Sequence, residues 1–179
     1  MFSKSTLLVT VICMILFFAA CGPDKSGMSE YGPVVEKVFR EESGAFRGFN
    51  LGDKMDSVQA GELSQPIEVD DGYLYYEYKI DDTTGSYNIS YDFDENGLNE
   101  IQSDIYITNP ANTEAVFNSF KIYLDEHYGS SETAMGYFVW SIHSENFGDI
   151  KINLKDESVE LTVDGGPGKI ALWIYPDKK

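Results

Sequence analysis

The sequence predicts a two-layer α+β domain, in which an antiparallel sheet of about seven strands carries helices on one face. Three observations support this prediction. Several segments alternate apolar and polar residues with the period of two that is typical of a strand with one buried face, most clearly residues 86–94. Other segments place apolar residues three and four positions apart, as amphipathic helices do. Short runs of turn-forming residues separate the strands, which favours antiparallel neighbours.

The first half of the domain begins with two short predicted helices. Residues 33–40 combine a proline at a helix-start position with valine and phenylalanine side chains at i and i+4 spacing. Asp53 is a suitable N-cap for a second, brief helix that carries Met55 and Val58. We therefore expect two short helices before the first long strand.

A tyrosine-rich strand and a hairpin follow. Residues 73–78 form an aromatic strand, and the alternating segment 86–94 ends in Asp94-Glu95-Asn96-Gly97. Gly97 can adopt the positive φ that a type I turn followed by a bulge requires, and apolar positions resume in residues 98–101. The sequence therefore predicts a β-hairpin here.

The second half repeats the plan of a helix followed by strands. Residues 112–128 form the clearest helix, because they carry a continuous apolar stripe and are followed by Gly129 as a C-terminal stop. Four strand-like runs follow at residues 136–144, 149–155, 158–164 and 169–175. This repetition suggests two related halves, residues 33–110 and 111–179, within one α+β domain spanning residues 33–179.

The first twenty residues are predicted to form a signal peptide. A basic start at Lys4 precedes an almost wholly apolar run from Leu7 to Ala20, which is short for a membrane span. The sequence Phe18-Ala19-Ala20-Cys21-Gly22 resembles the lipobox of bacterial lipoproteins. This resemblance implies that Cys21 becomes the lipidated amino terminus of the mature chain. A transmembrane anchor or a plain secretory signal is the alternative.

The residues after Cys21 indicate how the domain is held. Residues 21–32 are rich in glycine, serine and proline, which predicts a flexible tether. Removal of residues 1–20 would leave a formal charge of −18, so anionic lipid repels the domain and the N-terminal lipid must hold it at the membrane. Gly22 occupies the position where an aspartate can signal inner-membrane retention in some bacteria. We therefore expect the bacterial cell envelope, at the outer membrane.

A family resemblance covers residues 46–107. The matching features are a strand that ends at Gly52, a capped turn of helix with Val58, a proline at position 66, a tyrosine-rich strand and the Asp94–Gly97 hairpin. Their order resembles the SmpA/OmlA (BamE-like) family, the small lipoproteins of the outer-membrane barrel assembly machinery, and the related β-lactamase-inhibitor-protein-like domains. The resemblance implies α/β repeats and a function in binding other proteins.

Composition and motifs exclude several functions. The formal charge is −17 with no basic cluster, which argues against a nucleic acid partner. Cys13 lies in the predicted signal peptide and Cys21 would be acylated, so the mature chain would have no free thiol for catalysis or metal binding. The sequence contains no nucleophile-elbow or phosphate-loop motif. We therefore predict a protein that is not an enzyme and binds no cofactor.

Two weaker metal signals have simpler explanations. Asp92, Asp94 and Asn96, followed by Gly97, match the first half of an EF-hand calcium loop, but position twelve is Ser103, where a bidentate glutamate is needed. A hairpin turn explains these residues with fewer assumptions, and calcium binding is the alternative. The two histidines, His127 and His143, lack the spacing of a metal-binding pair.

The aromatic residues give the clearest functional signal. Twelve tyrosines and two tryptophans exceed the usual needs of a small core, and tyrosine suits half-exposed surfaces. Alternation in the last strand turns Leu172 toward the helices and Ala171, Trp173 and Tyr175 toward solvent, and Tyr106 is solvent-facing by the same argument. These aromatic residues either shield an open sheet or line a partner-binding face.

We predict a non-catalytic binding or scaffolding module for another envelope component. The alternatives are an inhibitor of a secreted or periplasmic enzyme, and a ligand-binding or hydrolytic lipoprotein.

Overall fold

The computed structural model describes residues 27–144, 148–158 and 166–177, and it confirms the α+β fold with an antiparallel sheet. The helices in these ranges are α1 (Pro33–Phe39), α2 (Met55–Gly61) and α3 (Thr113–Tyr128), with short 3₁₀ helices at Met28–Tyr31 and Pro110–Asn112. The strands are β1 (Glu68–Asp70), β2 (Tyr73–Asp81), β3 (Gly85–Asp94), β4 (Gly97–Ile107), β5 (Glu132–Ala134), β6 (Tyr137–Ser144), β7 (Gly148–Asp156) and β8 (Gly168–Pro176).

The sheet consists of two four-stranded meanders that meet in the middle. The strand order is β1-β2-β3-β4-β8-β7-β6-β5, and every neighbouring pair is antiparallel. Each meander begins at an outer edge with a strand of three residues, β1 or β5. These two strands were not predicted, because three exposed residues are too few to show an alternating pattern. The predicted strand at 158–164 lies outside the described residues except for Ser158.

The core lies between the sheet and the helices. Alternate residues of the long strands face this core and are buried or partly buried, as the alternation predicted, and their apolar side chains form one cluster with those of all three helices. The helices contribute Val35, Val38, Phe39, Val58, Phe120, Tyr123 and Leu124 to this cluster. The strands contribute Leu74, Tyr76, Ile89, Tyr91, Ile101, Ile105, Trp140, Ile152, Leu154, Ile170, Leu172 and Ile174, among others. The opposite face of the sheet carries none of the three helices, and we call it the open face.

The predicted hairpin is formed by β3 and β4. Two residues, Glu95 and Asn96, join the strands, and one register shift places the extra residue Asn99 on β4 as a bulge. Gly97 has a φ of 116°, and a Cβ atom at this position would overlap the carbonyl oxygen of Gly52. Glycine is therefore required both by the backbone conformation and by the close approach of the preceding loop.

The helices agree with the sequence except in one cap. The helix predicted at 33–40 is α1, and the helix predicted at 112–128 is α3, which ends at Gly129 as expected. The N-cap of α2 is Lys54, so the prediction of Asp53 as N-cap was wrong. The Asp53 carboxylate instead accepts a hydrogen bond from the Asn50 backbone N–H at 2.8 Å. Its side chain therefore closes the preceding turn rather than the helix.

Packed structure begins before Pro33. Met28 is buried, and the ring of Tyr31 packs edge to face against Tyr123 of α3, with 5.2 Å between the ring centroids. The Tyr31 hydroxyl also donates a hydrogen bond to Glu126. The last residues of the segment predicted as a tether therefore contact the domain. Cys21 and the predicted signal peptide lie outside the described residues.

Candidate functional site

The open face of the sheet holds the three aromatic residues that the sequence singled out. Trp173 and Tyr175 alternate along β8 with the buried residues Leu172 and Ile174, and Tyr106 lies on β4 in the same orientation. All three side chains are partly exposed. The period of two along a strand is sufficient to explain these orientations.

Trp173 is the centre of an aromatic and amide cluster. The Tyr137 ring on β6 packs edge to face against the Trp173 ring, with 5.6 Å between their centroids. The Lys155 ammonium lies 5.2 Å from the centre of the Tyr137 ring. Asn153, which is paired with Trp173 in the sheet, donates a hydrogen bond from Nδ2 to the Tyr175 hydroxyl at 3.0 Å. This cluster therefore joins three neighbouring strands on one exposed surface.

Tyr106 lies apart from this cluster. It pairs with Lys169, which is four residues from Trp173 along β8 and hence about 13 Å away. Lys169 forms a ridge of ion pairs beside Tyr106, in which its Nζ atom lies 3.2 Å from Asp104 Oδ1 and 3.0 Å from Glu157 Oε2. Burial disfavours the Lys169 ammonium, but the hydrogen bond to Glu157 and the charge of Asp104 outweigh this effect and raise its pKa.

Ala171 is not exposed, contrary to the prediction that it faces solvent. It does lie on the open face, where it pairs with Asp104 on one side and Lys155 on the other. Its exposed fraction is nevertheless 0%. The longer charged side chains beside it exclude solvent from the small methyl group.

Three more aromatic residues lie on the open face. Tyr73 and Tyr75 of β2 alternate with the buried Leu74 and Tyr76. Tyr137 of β6 is on the opposite face of its strand from the buried Trp140. Partial burial raises the pKa of both the Tyr73 and the Tyr75 hydroxyl. The alternation along β2 would have identified its two tyrosines. The contact of Tyr137 with Trp173 depends on the register of three strands, which sequence does not show.

The EF-hand-like residues lie at one end of this face and form a hairpin. Asp92 and Asp94 belong to β3, and the Asp94 carboxylate accepts a hydrogen bond from the Asn96 backbone N–H at 2.7 Å. Asp92 pairs with Glu100 across β3 and β4, and burial raises the pKa of both carboxylates. Within the described ranges, no group of three or more histidine, cysteine or carboxylate side chains has the arrangement of a metal site.

A buried ion pair on the helix side of the sheet was not predicted. Arg47 donates hydrogen bonds from Nε and Nη2 to the two carboxylate oxygens of Glu62, each at 2.8 Å, and both side chains are 0% exposed. The Tyr78 hydroxyl donates to the same carboxylate at 2.8 Å, and the Tyr91 hydroxyl donates to its other oxygen. The backbone N–H of Leu63 donates to Glu62 Oε2, the oxygen that also accepts from Tyr78, at 3.2 Å. Five donors therefore surround one carboxylate.

The remaining contacts of Arg47 join the helices to the sheet. Its Nη1 atom donates to the backbone carbonyls of Lys37 and Val38 in α1, at 3.0 and 2.9 Å. The Arg47 carbonyl in turn accepts a hydrogen bond from Arg40 Nη2 at 2.6 Å. Arg47 also has a φ of 55°, which is uncommon for a residue with a side chain. The network therefore holds the loop between α1 and α2 in place.

The electrostatics of this network indicate a structural role. Burial by itself raises the pKa of Glu62, but the hydrogen bonds and charge of Arg47, with the bonds from Tyr91 and Tyr78, outweigh it and lower the pKa. Burial also raises the pKa of the Tyr91 hydroxyl. Glu62 is thus held as a carboxylate without access to solvent, so a substrate cannot reach it.

Comparison of the chain with protein-family models, with curated proteins and with solved structures finds no match. The resemblance to SmpA/OmlA and β-lactamase-inhibitor-like proteins therefore stays a prediction. None of the helices in the described part of the chain is long and apolar enough to cross a membrane.

Proposed function

We propose that this chain is a lipid-anchored lipoprotein of the bacterial envelope, and that the open face of its sheet binds another envelope component. Lipidation at Cys21 and a location at the outer membrane are part of this proposal, and both derive from the amino-terminal sequence. Binding through the open face derives from the arrangement of the aromatic side chains.

The observation that carries the proposal is the concentration of aromatic residues on a face of the sheet that carries none of the helices α1, α2 and α3. Trp173 and five tyrosines, at positions 73, 75, 106, 137 and 175, lie on the open face. Aromatic residues are enriched in the cores of protein interfaces, where they combine a large apolar area with a polar group. The partly exposed ion pairs of Lys169 lie beside Tyr106, at one end of this area, where they supply a polar border.

The lipid anchor is tested by metabolic labelling with radioactive palmitate. The wild-type chain should incorporate the label, and Cys21→Ala should not. Equal labelling of both chains would refute the anchor, and fractionation of the envelope tests the outer-membrane location.

The binding face is tested by site-specific photo-crosslinking in cells. A photoreactive residue at position 173 or 175 should form a discrete adduct with an envelope component. The control position is Ile122, which is 51% exposed on α3 and belongs to the helix side of the sheet. Adducts that form equally well from position 122 would contradict the proposal. So would adducts from a photoreactive residue at position 175 that persist when Trp173 is replaced by serine. If the captured component is a hydrolase whose activity falls on binding, the module is an inhibitor rather than a scaffold.

A further inference from the structure

A trough crosses the open face at strands β2, β3 and β4. It lies over two rows of residues that are paired across these strands, namely Lys79, Ser86 and Tyr106, and Glu77, Asn88 and Asp104. Directly opposed residues of an antiparallel pair share a face of the sheet, so both rows lie on the open face with Tyr106. The middle strand therefore carries two short side chains, with longer ones on both sides. The result is a cavity of about 390 Å³, which is the usual size of a small-molecule site.

The lining of the trough supplies hydrogen-bonding groups of both kinds. The Ser86 hydroxyl is exposed and can both donate and accept. The Asn88 side-chain oxygen accepts a hydrogen bond from the Asp104 backbone N–H at 3.1 Å, which fixes the orientation of the amide. An amide offers a carbonyl acceptor and an NH₂ donor. A ligand rich in hydroxyl groups, each of which donates and accepts, matches such a mixed set of groups.

The two charged residues of the trough balance each other. Glu77 and Lys79 are two positions apart on β2 and therefore lie side by side on the open face. Each already has a partner, since the Tyr75 hydroxyl donates to Glu77 Oε1 at 3.1 Å and Lys79 Nζ pairs with Asp82. The lining thus carries no net charge, although the formal charge of the chain is −17. It favours a neutral ligand over an ionic one.

Two apolar surfaces border these polar groups. The Tyr106 ring is partly exposed on β4, and Ile67, which is 62% exposed, also lines the trough. The face of an aromatic ring carries negative partial charge, which attracts the C–H groups of a sugar ring. An exposed aliphatic side chain offers contact to a small apolar group, such as the methyl group of an acetamide. The lining therefore suits a sugar ring that carries an N-acetyl group.

We propose that this trough binds an N-acetylated amino sugar within a neutral glycan. The sugar packs its C–H face on Tyr106 and its acetamide methyl group on Ile67, and its hydroxyl groups bond to the side chains of β3. A polymer is favoured over a free sugar, because the Trp173 cluster offers a second aromatic surface on the same face. This inference rests on the proposed function, since it names the chemical class of the envelope component that the open face binds.

The experiment is saturation-transfer NMR on the full chain, in a detergent without a sugar headgroup. The probe is a linear oligomer of N-acetylglucosamine, and a glucose oligomer of the same length is the comparison. Wild type should transfer saturation to the ring C–H and acetyl methyl protons of the first oligomer. It should bind the glucose oligomer about fourfold more weakly, as expected for the loss of one buried methyl group.

A space-filling variant tests whether the trough itself is the site. Ser86→Ile places a larger side chain in the middle of the trough and leaves the surrounding groups in place, so it should weaken binding by about tenfold or more. The matched control is Ser141→Ile, an exposed serine on the open face of β6 that lies outside the trough. It should bind as wild type does. Isoleucine is favoured in strands, and thermal unfolding of each variant confirms that it is folded.

Substitutions of the lining test how the sugar is held. Tyr106→Ser should weaken binding by about tenfold, whereas Tyr106→Phe should keep most of it, because the ring makes the contact. Glu77→Gln and Lys79→Gln should each change affinity by less than about threefold, because a neutral ligand forms no ion pair with either residue. Loss of binding in both of these variants would overturn the assignment of a neutral ligand.

Three other results would overturn the proposal. These are the absence of saturation transfer to the acetylated oligomer, equal binding of the two oligomers, and equal effects of Ser86→Ile and Ser141→Ile. If positions 173 and 175 nevertheless capture a protein in cells, the open face binds a partner and only its assignment as a glycan is wrong. If these positions form no adduct and no oligomer binds, the proposed function itself fails.

Discussion

The buried carboxylate of Glu62 should make a large contribution to the stability of the fold. Glu62→Gln keeps the shape of the side chain but replaces one of its two acceptor oxygens with an NH₂ group. Each oxygen now accepts from Arg47 at 2.8 Å and from a tyrosine hydroxyl. Either orientation of the amide therefore directs N–H groups at a donor of Arg47 and leaves the guanidinium without a counter-charge.

The expected loss is about 3 to 5 kcal/mol in the free energy of unfolding, because removing one member of a buried ion pair leaves the other charge buried and unpaired. Single domains are stable by about 5 to 15 kcal/mol, so this loss is a large fraction of the total. The measurement is urea unfolding at pH 7, followed by circular dichroism. The control is Glu95→Gln, an exposed carboxylate in the β3–β4 turn, which should change stability by less than about 0.5 kcal/mol. Equal effects of the two substitutions would refute the structural role of the network.

The same variant predicts a pH dependence. The pKa of Glu62 is lowered in the folded state from an ordinary value of 4.5, so its charged form stabilises the fold. This contribution is complete above the unfolded pKa and is lost as the pH falls through the folded pKa. The stability difference between wild type and Glu62→Gln should therefore be constant from pH 6 to 8 and should shrink below about pH 4.5. A difference that widens with acidity would contradict the assignment.

Three further substitutions test other parts of the structure. Leu172→Ala should lower stability by about 2 to 5 kcal/mol through lost burial and a cavity, and Trp173→Ser should lower it by less. If paired thermal melts show the reverse order, β8 faces the other way. Gly97→Ala should destabilise the chain more than Gly136→Ala does. Both glycines have a positive φ, but only Gly97 lacks space for a Cβ atom. Equal midpoints of urea unfolding for the two variants would contradict this prediction. Trp140→Phe should lower the free energy of unfolding by about 1 to 3 kcal/mol. The indole N–H donates to the Gly129 carbonyl at 2.9 Å and to the Asp125 carboxylate at 3.1 Å, and phenylalanine has no such donor. Unchanged stability in urea would show that water replaces this donor.

Local patterns in the sequence predicted the orientation of the long strands well. The alternation in β8 placed Leu172 inside and Trp173 outside, because side chains on a strand alternate between its two faces whatever the rest of the fold does. The hairpin was located by a different local signal, the turn residues that end in Gly97. Ala171 shows its limit, since alternation gives the face of a residue but not the length of its neighbours.

The buried ion pair could not be predicted by the same means. Arg47 and Glu62 are fifteen residues apart, and nothing in their local sequences distinguishes them from surface charges. Their pairing depends on how the loop after α1 returns over β2 and β3. Sequence signals for such a pair are weak, because each residue alone would be placed on the surface.

The structure also changes the weight of the tyrosine content as evidence for a binding face. Three of the twelve tyrosines, Tyr78, Tyr87 and Tyr91, contact the Arg47–Glu62 network and have a structural reason to be tyrosine rather than phenylalanine. Composition alone therefore overstates the surface aromatic content. The evidence for binding rests on the aromatic residues of the open face, and there the contact of Tyr137 with Trp173 already shields part of the sheet. This explanation does not extend to Tyr106, because Tyr106 pairs with Lys169, four residues along β8 from Trp173. If the aromatic residues only shield the open face, substitution of Tyr106 should alter neither binding nor the packing around Trp173. A partner that spans the face must instead contact both Tyr106 and the Trp173 cluster.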